Sequence, residues 1–195
     1  MALPTPFTTT SPLVFNVDYF DWSQGAGYKK YYLLGTEDTG GKKYSLTADS
    51  TITSPSTNYK TAATINLDFD LTFNAPVDIA AATATIEYMI GFGGAMSNST
   101  VWTIYHYNGT TETSLGTATA SVSASANEWQ SVAVQIPLTA KHFAAGDILR
   151  INANVTQSHS TTGLHYDPAG VISQTLKQGG AGTSSTSINI PFEIQ

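Results

Sequence analysis

Cysteine is absent from the 195 residues, which excludes disulfides, thiolate chemistry and Cys-held zinc. Charge is scarce too. Asp, Glu, Lys and Arg make up 11% of the chain, less than half the roughly 25% of an average globular protein. Eight basic residues against fourteen acidic ones leave a net charge of −6, and such a surface cannot release the counterions on which phosphate binding depends. Nucleic acid is therefore not an expected partner. No run approaches the roughly 18 to 20 apolar residues of a membrane span, so no membrane is expected either. Met1 to Phe15 has no Lys or Arg and no continuous apolar stretch, unlike a secretory signal peptide. The expectation is a protein kept in the cytoplasm, or leaving it inside something released by lysis.

Thr, Ser, Ala, Asn and Gly fill the place of the missing charges. The result is a polar, weakly charged exterior that suits broad protein contacts better than free dispersal. The hydrophobic share of 41% is ordinary, and a chain of this size can bury roughly 70% of its unfolded surface without staples.

Period-two alternation dominates the sequence. Ile65, Leu67, Phe69, Leu71 and Phe73 interleave with Asn66, Asp68, Asp70, Thr72 and Asn74, the pattern of a strand with one buried and one wet face. Further strands are predicted at 13–20, 28–34, 83–92, 101–107, 113–122, 129–136, 148–155 and 187–194. Asn108-Gly109 is a hairpin signal between two of them, and Gly116 marks a bulge in the second. Leu138 to Ala145 reads as one or two helical turns. Thr117 to Asn127 and Gln178 to Ser187 are low-complexity polar stretches, the second read as a surface loop. Ala2 to Pro12 carries Pro4, Pro6 and Pro12 among four threonines and reads as an extended arm. The expected organisation is an arm over 1–12 and one domain over 13–195. Its fold class is all-β, a single jelly-roll-like antiparallel sandwich.

Chemistry-bearing patterns are sparse. His106 alternates with Trp102 and Ile104 and reads as a core or face-lining histidine. His159 and His165 share one predicted loop, and His142 stands apart. No HxH or HExxH spacing occurs, so no metal ligand is assigned. Asp68 and Asp70 share a sheet face as a glycosidase pair would, but the wet side of an amphipathic strand accounts for them. Calcium through Asp18, Asp21 or Asp167 has no supporting spacing. There is no G-x-S-x-G elbow and no phosphate loop. No catalytic or cofactor-binding residue is assigned, and the chain is expected to bind and assemble and not to be an enzyme. The Lys29-Lys30 and Lys42-Lys43 pairs read as solvated. Aromatics are the remaining resource: Trp22, Trp102 and Trp129, with Tyr28, Tyr31, Tyr32, Tyr105 and Tyr107 as the better exposed tyrosines. Stacked on sugar rings they would make a carbohydrate-binding module, with a glycan as partner. They serve equally as protein anchors.

Three stretches carry a resemblance: "MALPTPFTTTSPLVFNVDYFDWSQGAGYKKYY", "YHYNGTTETSLGTATA", and "IPLTAKHFAAGDILRINANV" followed by "LHYDPAG". Together they resemble small jelly-roll virion structural proteins of tailed bacteriophages. The resemblance implies a capsid decoration or cement protein on the outside of the head, assembled in the host cytoplasm and located in the virion. It also implies a homotrimer bound to the major capsid protein or other virion proteins. A tail, neck or fibre-attachment role is the variant within it. The arm residues Leu3, Pro4, Thr5, Pro6, Phe7 and Pro12 would then be the interface, reaching to a neighbour. The "HF..GD.LR" pattern from His142 to Arg150 is also similar to C-terminal jelly-roll domains of some hydrolases, where it packs the sandwich.

Overall fold

The computed structural model describes residues 26–38, 41–51, 59–62, 64–92, 96–124, 128–157, 162–166 and 186–193. The arm with its six expected interface residues, the expected strand at 13–20, and Trp22, His159 and Asp167 lie outside them. Every regular element among the described residues is a strand, so the all-β expectation holds. In chain order these are β1 (Ala26–Asp38), β2 (Gly41–Thr47), β3 (Tyr59–Ala62), β4 (Thr64–Thr72), β5 (Val77–Ile79), β6 (Thr83–Phe92) and β7 (Met96–Tyr107). Then follow β8 (Glu112–Ala124), β9 (Glu128–Pro137), β10 (Lys141–Phe143), β11 (Ile148–Gln157), β12 (Thr162–His165) and β13 (Ser187–Glu193).

A front sheet runs β4-β11-β7-β8, antiparallel throughout. A back sheet runs β9-β6-β13-β1-β2, with β12 and β3 continuing beside β6. The two join through one parallel bridge, Ser45 to Asp70, between β2 and β4. That bridge departs from the all-antiparallel expectation. It closes the edge where the chain passes from sheet to sheet.

Alternation decides which side faces the core. On β4 the pattern is exposed, buried, exposed, buried from Thr64 through Phe69. Phe69, Leu149, Ile151, Ile104 and Trp102 from the front sheet face Ile86, Tyr88, Ile136, Leu33, Ile188 and Ile190 from the back, and all are under 2% exposed. Each such side chain contributes roughly 1.5–3 kcal/mol by leaving water. Aromatic edges tie the layers: Tyr88 meets Trp102 at 5.2 Å, Tyr44 meets Phe69 at 5.3 Å, and Phe73 meets Phe143 at 5.3 Å.

The predicted bulge is present. Ile104 pairs with Gly116 while Tyr105 pairs with Ser114, so Leu115 is the extra residue and turns inward, 3% exposed. A side chain at 116 would collide with the Pro137 carbonyl and with Ile136. Glycine there lets the end of β9 close against β8, where Leu115 O accepts from Thr139 N at 2.9 Å.

One local expectation fails. Leu138–Ala145 is not helical. Leu138 N and Thr139 N donate to Ala82 O and Leu115 O, and β10 then pairs with β5. Non-local partners outbid the helical ones. The strand predicted at 113–122 is present and runs on to Ala124 as β8. Ala118, Ala120 and Val122 pack against the core while Thr117, Thr119, Ser121 and Ser123 stay exposed.

Candidate binding face and the turn that braces it

The segment from His142 to Arg150 organises one end of the front sheet. Phe143 enters the core fully and packs its ring on His106 at 4.6 Å. Gly146 adopts φ +94°, a value that an L side chain would strain. Its N–H donates to Phe73 O at 2.7 Å, and Asp147 O accepts from Phe73 N at 2.9 Å. The Asp147 carboxylate accepts from Ala144 N at 2.9 Å and bonds His106 Nε2 at 2.6 Å. These two partners, His106 first, hold its pKa below the usual carboxylate range. His106 is thus a buried core histidine with an acid partner, as the alternation implied.

Arg150, next in the motif, projects from the outer face. It donates from Nε and Nη2 to the two oxygens of Asp70 at 2.8 and 2.7 Å, and from Nη1 to Glu112. Its carbon centre stands 4.7 Å over the Tyr107 ring. Asp70, then Glu112, raise its pKa against partial burial. The Tyr107 hydroxyl donates to Gly109 O at 2.8 Å, and Asn108 Oδ1 accepts from Thr110 N and Thr111 N. The hairpin loop at 108–111 is therefore side-chain capped, with Gly109 at φ +86° as the Asn-Gly signal requires.

Beyond Arg150 the face is uncharged apart from Asp68. Asn152 Nδ2 donates to Asn66 Oδ1 and Asp68 Oδ1 at 2.8 and 2.7 Å, and Thr103 bonds Thr117 at 3.1 Å. Ser97, Ser99 and Val101 of β7 and Thr117, Thr119, Ser121 and Ser123 of β8 continue it. Among the outward positions of these two strands only Glu112 is ionised. The arrangement can supply hydrogen bonds and uncharged contact area, and little electrostatic steering.

Several expected surface residues are elsewhere. Tyr31 is 3% exposed and Trp102 is 0%, both turned inward by strand parity, so neither offers a free ring. Burial pushes the Tyr31 pKa up. Tyr28, Tyr32, Tyr105 and Tyr107 are half-buried. Lys29 is 8% exposed and is not solvated as expected, because it shares the inward parity of Tyr31 and Leu33. His165 lies on β12, not in a loop, and is fully buried beside Trp129. A second acid–imidazole pair, His142 Nδ1 with Asp78 Oδ1 at 2.7 Å, escaped sequence reading because β5 and β10 are three residues each. Its imidazole is oriented as a general base would be, but among the described residues no Ser or Thr hydroxyl bonds to it. No group of three His, Asp or Glu there could hold a metal ion.

No family model matches the chain, and no curated protein does. Solved structures do. A CocE/NonD family hydrolase from Staphylococcus aureus overlays with a TM-score of 0.58 at 9% identity, over 87% of this chain and 37% of that one. An α-amino acid ester hydrolase overlays with a TM-score of 0.56 at 11% identity, over 84% and 36%. The likeness is one of fold. The chain spans little more than a third of these hydrolases. A CBM3a-L domain from the Clostridium thermocellum scaffoldin reaches a TM-score of only 0.31 at 12% identity, over 80% and 95%, too low for a shared fold. The expectation of a protein standing apart from enzymes is corrected by the first two overlays, because hydrolytic enzymes carry this sandwich as part of their chains. At 9–11% identity no activity follows from them.

Proposed function

We propose that the chain is a structural component of a virus particle, binding the exterior of a tailed-phage head as a decoration or cement protein. One observation carries the reading: the outward positions of β7 and β8 are, Glu112 excepted, uncharged, and they end in the thirteen-residue strand β8, last in the sheet order. Such a face loses little on permanent dehydration, since neutral hydroxyls cost far less to bury than ions. The sequence resemblance and the scarcity of charge support the same reading. The test mixes purified protein with expanded, undecorated capsids and follows stoichiometric binding by sedimentation. No binding, together with absence from purified virions by mass spectrometry, would refute it.

A second reading, a glycan-binding module, is favoured by the ladder of Asn66, Asp68, Asn152 and Tyr105 on the same sheet. Tyr107 argues against it, since its ring is covered by Arg150 and its hydroxyl is engaged. Retardation in polysaccharide gels, lost in Tyr105→Ala, would favour this second reading over the first.

A further inference from the structure

β8 closes the sheet order and, among the described residues, pairs with β7 alone. The direction of its main-chain groups can be read residue by residue. Thr117 Oγ1 donates to Trp102 O at 3.1 Å, which places that carbonyl between the strands, in the bonded pair Trp102–Ala118. Bonded pairs alternate along an antiparallel ladder, so Thr117, Thr119 and Ser121 turn their N–H and C=O groups away from β7. Ser123 shares that parity, and its carbonyl accepts from Gln130 Nε2 at 3.2 Å. Leu115 O accepts from Thr139 N before the stretch begins. Between these two contacts no described residue bonds the main chain of Thr117, Thr119 or Ser121 on the open side.

Open edges are usually guarded by Lys, Pro or an inward-pointing charge, and Gly116 to Ser123 contains none of these. On its inner side Ala118, Ala120 and Val122 pack against the core yet stay half-buried. This edge fits a strand whose apolar side faces inward and whose polar side faces out. Residues 13–18, outside the described residues, carry that pattern, with Leu13, Phe15 and Val17 alternating with Val14, Asn16 and Asp18. The register places them within reach. Ala26 pairs with Glu193, beyond the Asn189–Thr85 and Thr85–Gln135 pairs, so β1 starts at the Pro137 end of the back sheet. Gly116 lies at the same end, since a Cβ there would meet the Pro137 carbonyl.

We propose that the open edge of β8 is a docking site for residues 13–18 of the same chain, added as an antiparallel strand. Followed backwards from Ala26, the chain meets β8 at its Gly116 end. With Asp18 beside Thr117 and Val14 beside Ser121, Val17, Phe15 and Leu13 fall beside Ala118, Ala120 and Val122 and cover them. Asn16 then exchanges main-chain bonds with Thr119. The intervening residues 19–25 cross from β1 past β13, β6 and β9. That path is three strand spacings of about 4.8 Å and one gap between sheets of about 10 Å, within the roughly 25 Å that seven residues span.

The inference is independent of the virion reading and is tested on the full chain by amide hydrogen exchange of 15N-labelled protein. Thr117, Thr119 and Ser121 are expected to exchange slowly, like Ala118 and Ala120, whose amides bond β7. Val17→Asp puts a charge on the covered side and is expected to speed the first three amides by about tenfold or more, leaving Ala118 and Ala120 protected. Should Val17→Asp expose all five, Asn16→Pro decides, because it removes one main-chain donor and keeps the apolar side. Fast exchange of the three amides in the wild type would overturn the proposal. So would protection that both variants leave unchanged, or protection that falls on dilution, which would assign the edge to a second copy.

Discussion

His106 Nε2 and Asp147 Oδ2 lie 2.6 Å apart although 41 residues separate them in sequence. The bond joins the inner face of β7 to the turn that starts β11, and the same carboxylate caps that turn through Ala144 N. Both partners favour the ionised acid, so its folded pKa lies below the unfolded value of about 3.9. The sign follows from linkage: the stabilisation is complete above the unfolded pKa and is lost as pH falls through the folded one. Tm of the wild type is therefore expected to drop more steeply than that of Asp147→Asn as pH falls from 5 towards 2. Parallel curves across that window would show that the carboxylate's charge contributes nothing.

Arg150 invites a double-mutant cycle. Its side chain is 19% exposed and that of Asp70 is 31%, so the pair is drier than an ordinary surface bridge. Its two-pronged geometry is the stronger kind of charge-assisted contact. Urea unfolding of Arg150→Leu, Asp70→Asn and the double variant is expected to give a coupling of about 1–2 kcal/mol, above the 0.2–1 kcal/mol of exposed pairs. Arg150→Lys should lose most of it, because an ammonium cannot present the fork. A coupling near zero would make the contact incidental.

What the sequence revealed follows the range of the forces involved. β4, β6, β11 and β13 announce themselves because each places several apolar side chains on one face, a signal local to the strand. β5 and β10 are invisible: three residues hold no period, and their pairing comes from Val77, Ile79 and Phe143 reaching the core. Lys42-Lys43 and Ser45 mask β2, whose strand state is supplied by β1. The helix expected at 138–145 rested on propensity, which the carbonyls of Ala82 and Leu115 override. The HF..GD.LR motif was visible as a pattern, yet its partners His106, Asp70, Asp78 and Glu112 lie 38 to 80 residues away. Only the fold brings them together. Parity also exposed the errors at Tyr31 and Lys29, since one inward-facing residue on β1 fixes all its alternates.

Gly91 offers a test of packing on the outer side of the back sheet. It pairs with Trp129 across β6 and β9, and a Cβ at 91 would run into the indole ring. Trp129 in turn meets His165 edge-on at 6.2 Å. Gly91→Ala is expected to cost about 1–3 kcal/mol, as overpacking does, with a red shift of tryptophan emission as the indole is displaced towards water. Unchanged stability and emission would mean that the ring moves aside freely.

The uncharged face makes a prediction about assembly that stability cannot mimic. Thr119 and Ser121 are exposed on β8, paired with Val101 and Ser99, and touch none of the core. An arginine at either place leaves folding nearly unaffected, because surface substitutions of this kind fall within roughly ±0.5 kcal/mol. Placed in a dehydrated contact, the same charge loses its water without a partner. Under the virion reading, light scattering is expected to give a trimer for the wild type and a smaller species for Thr119→Arg, with Tm of the dissociated chain preserved and capsid binding reduced at least tenfold. A variant that assembles and binds like the wild type would move the contact surface off this sheet.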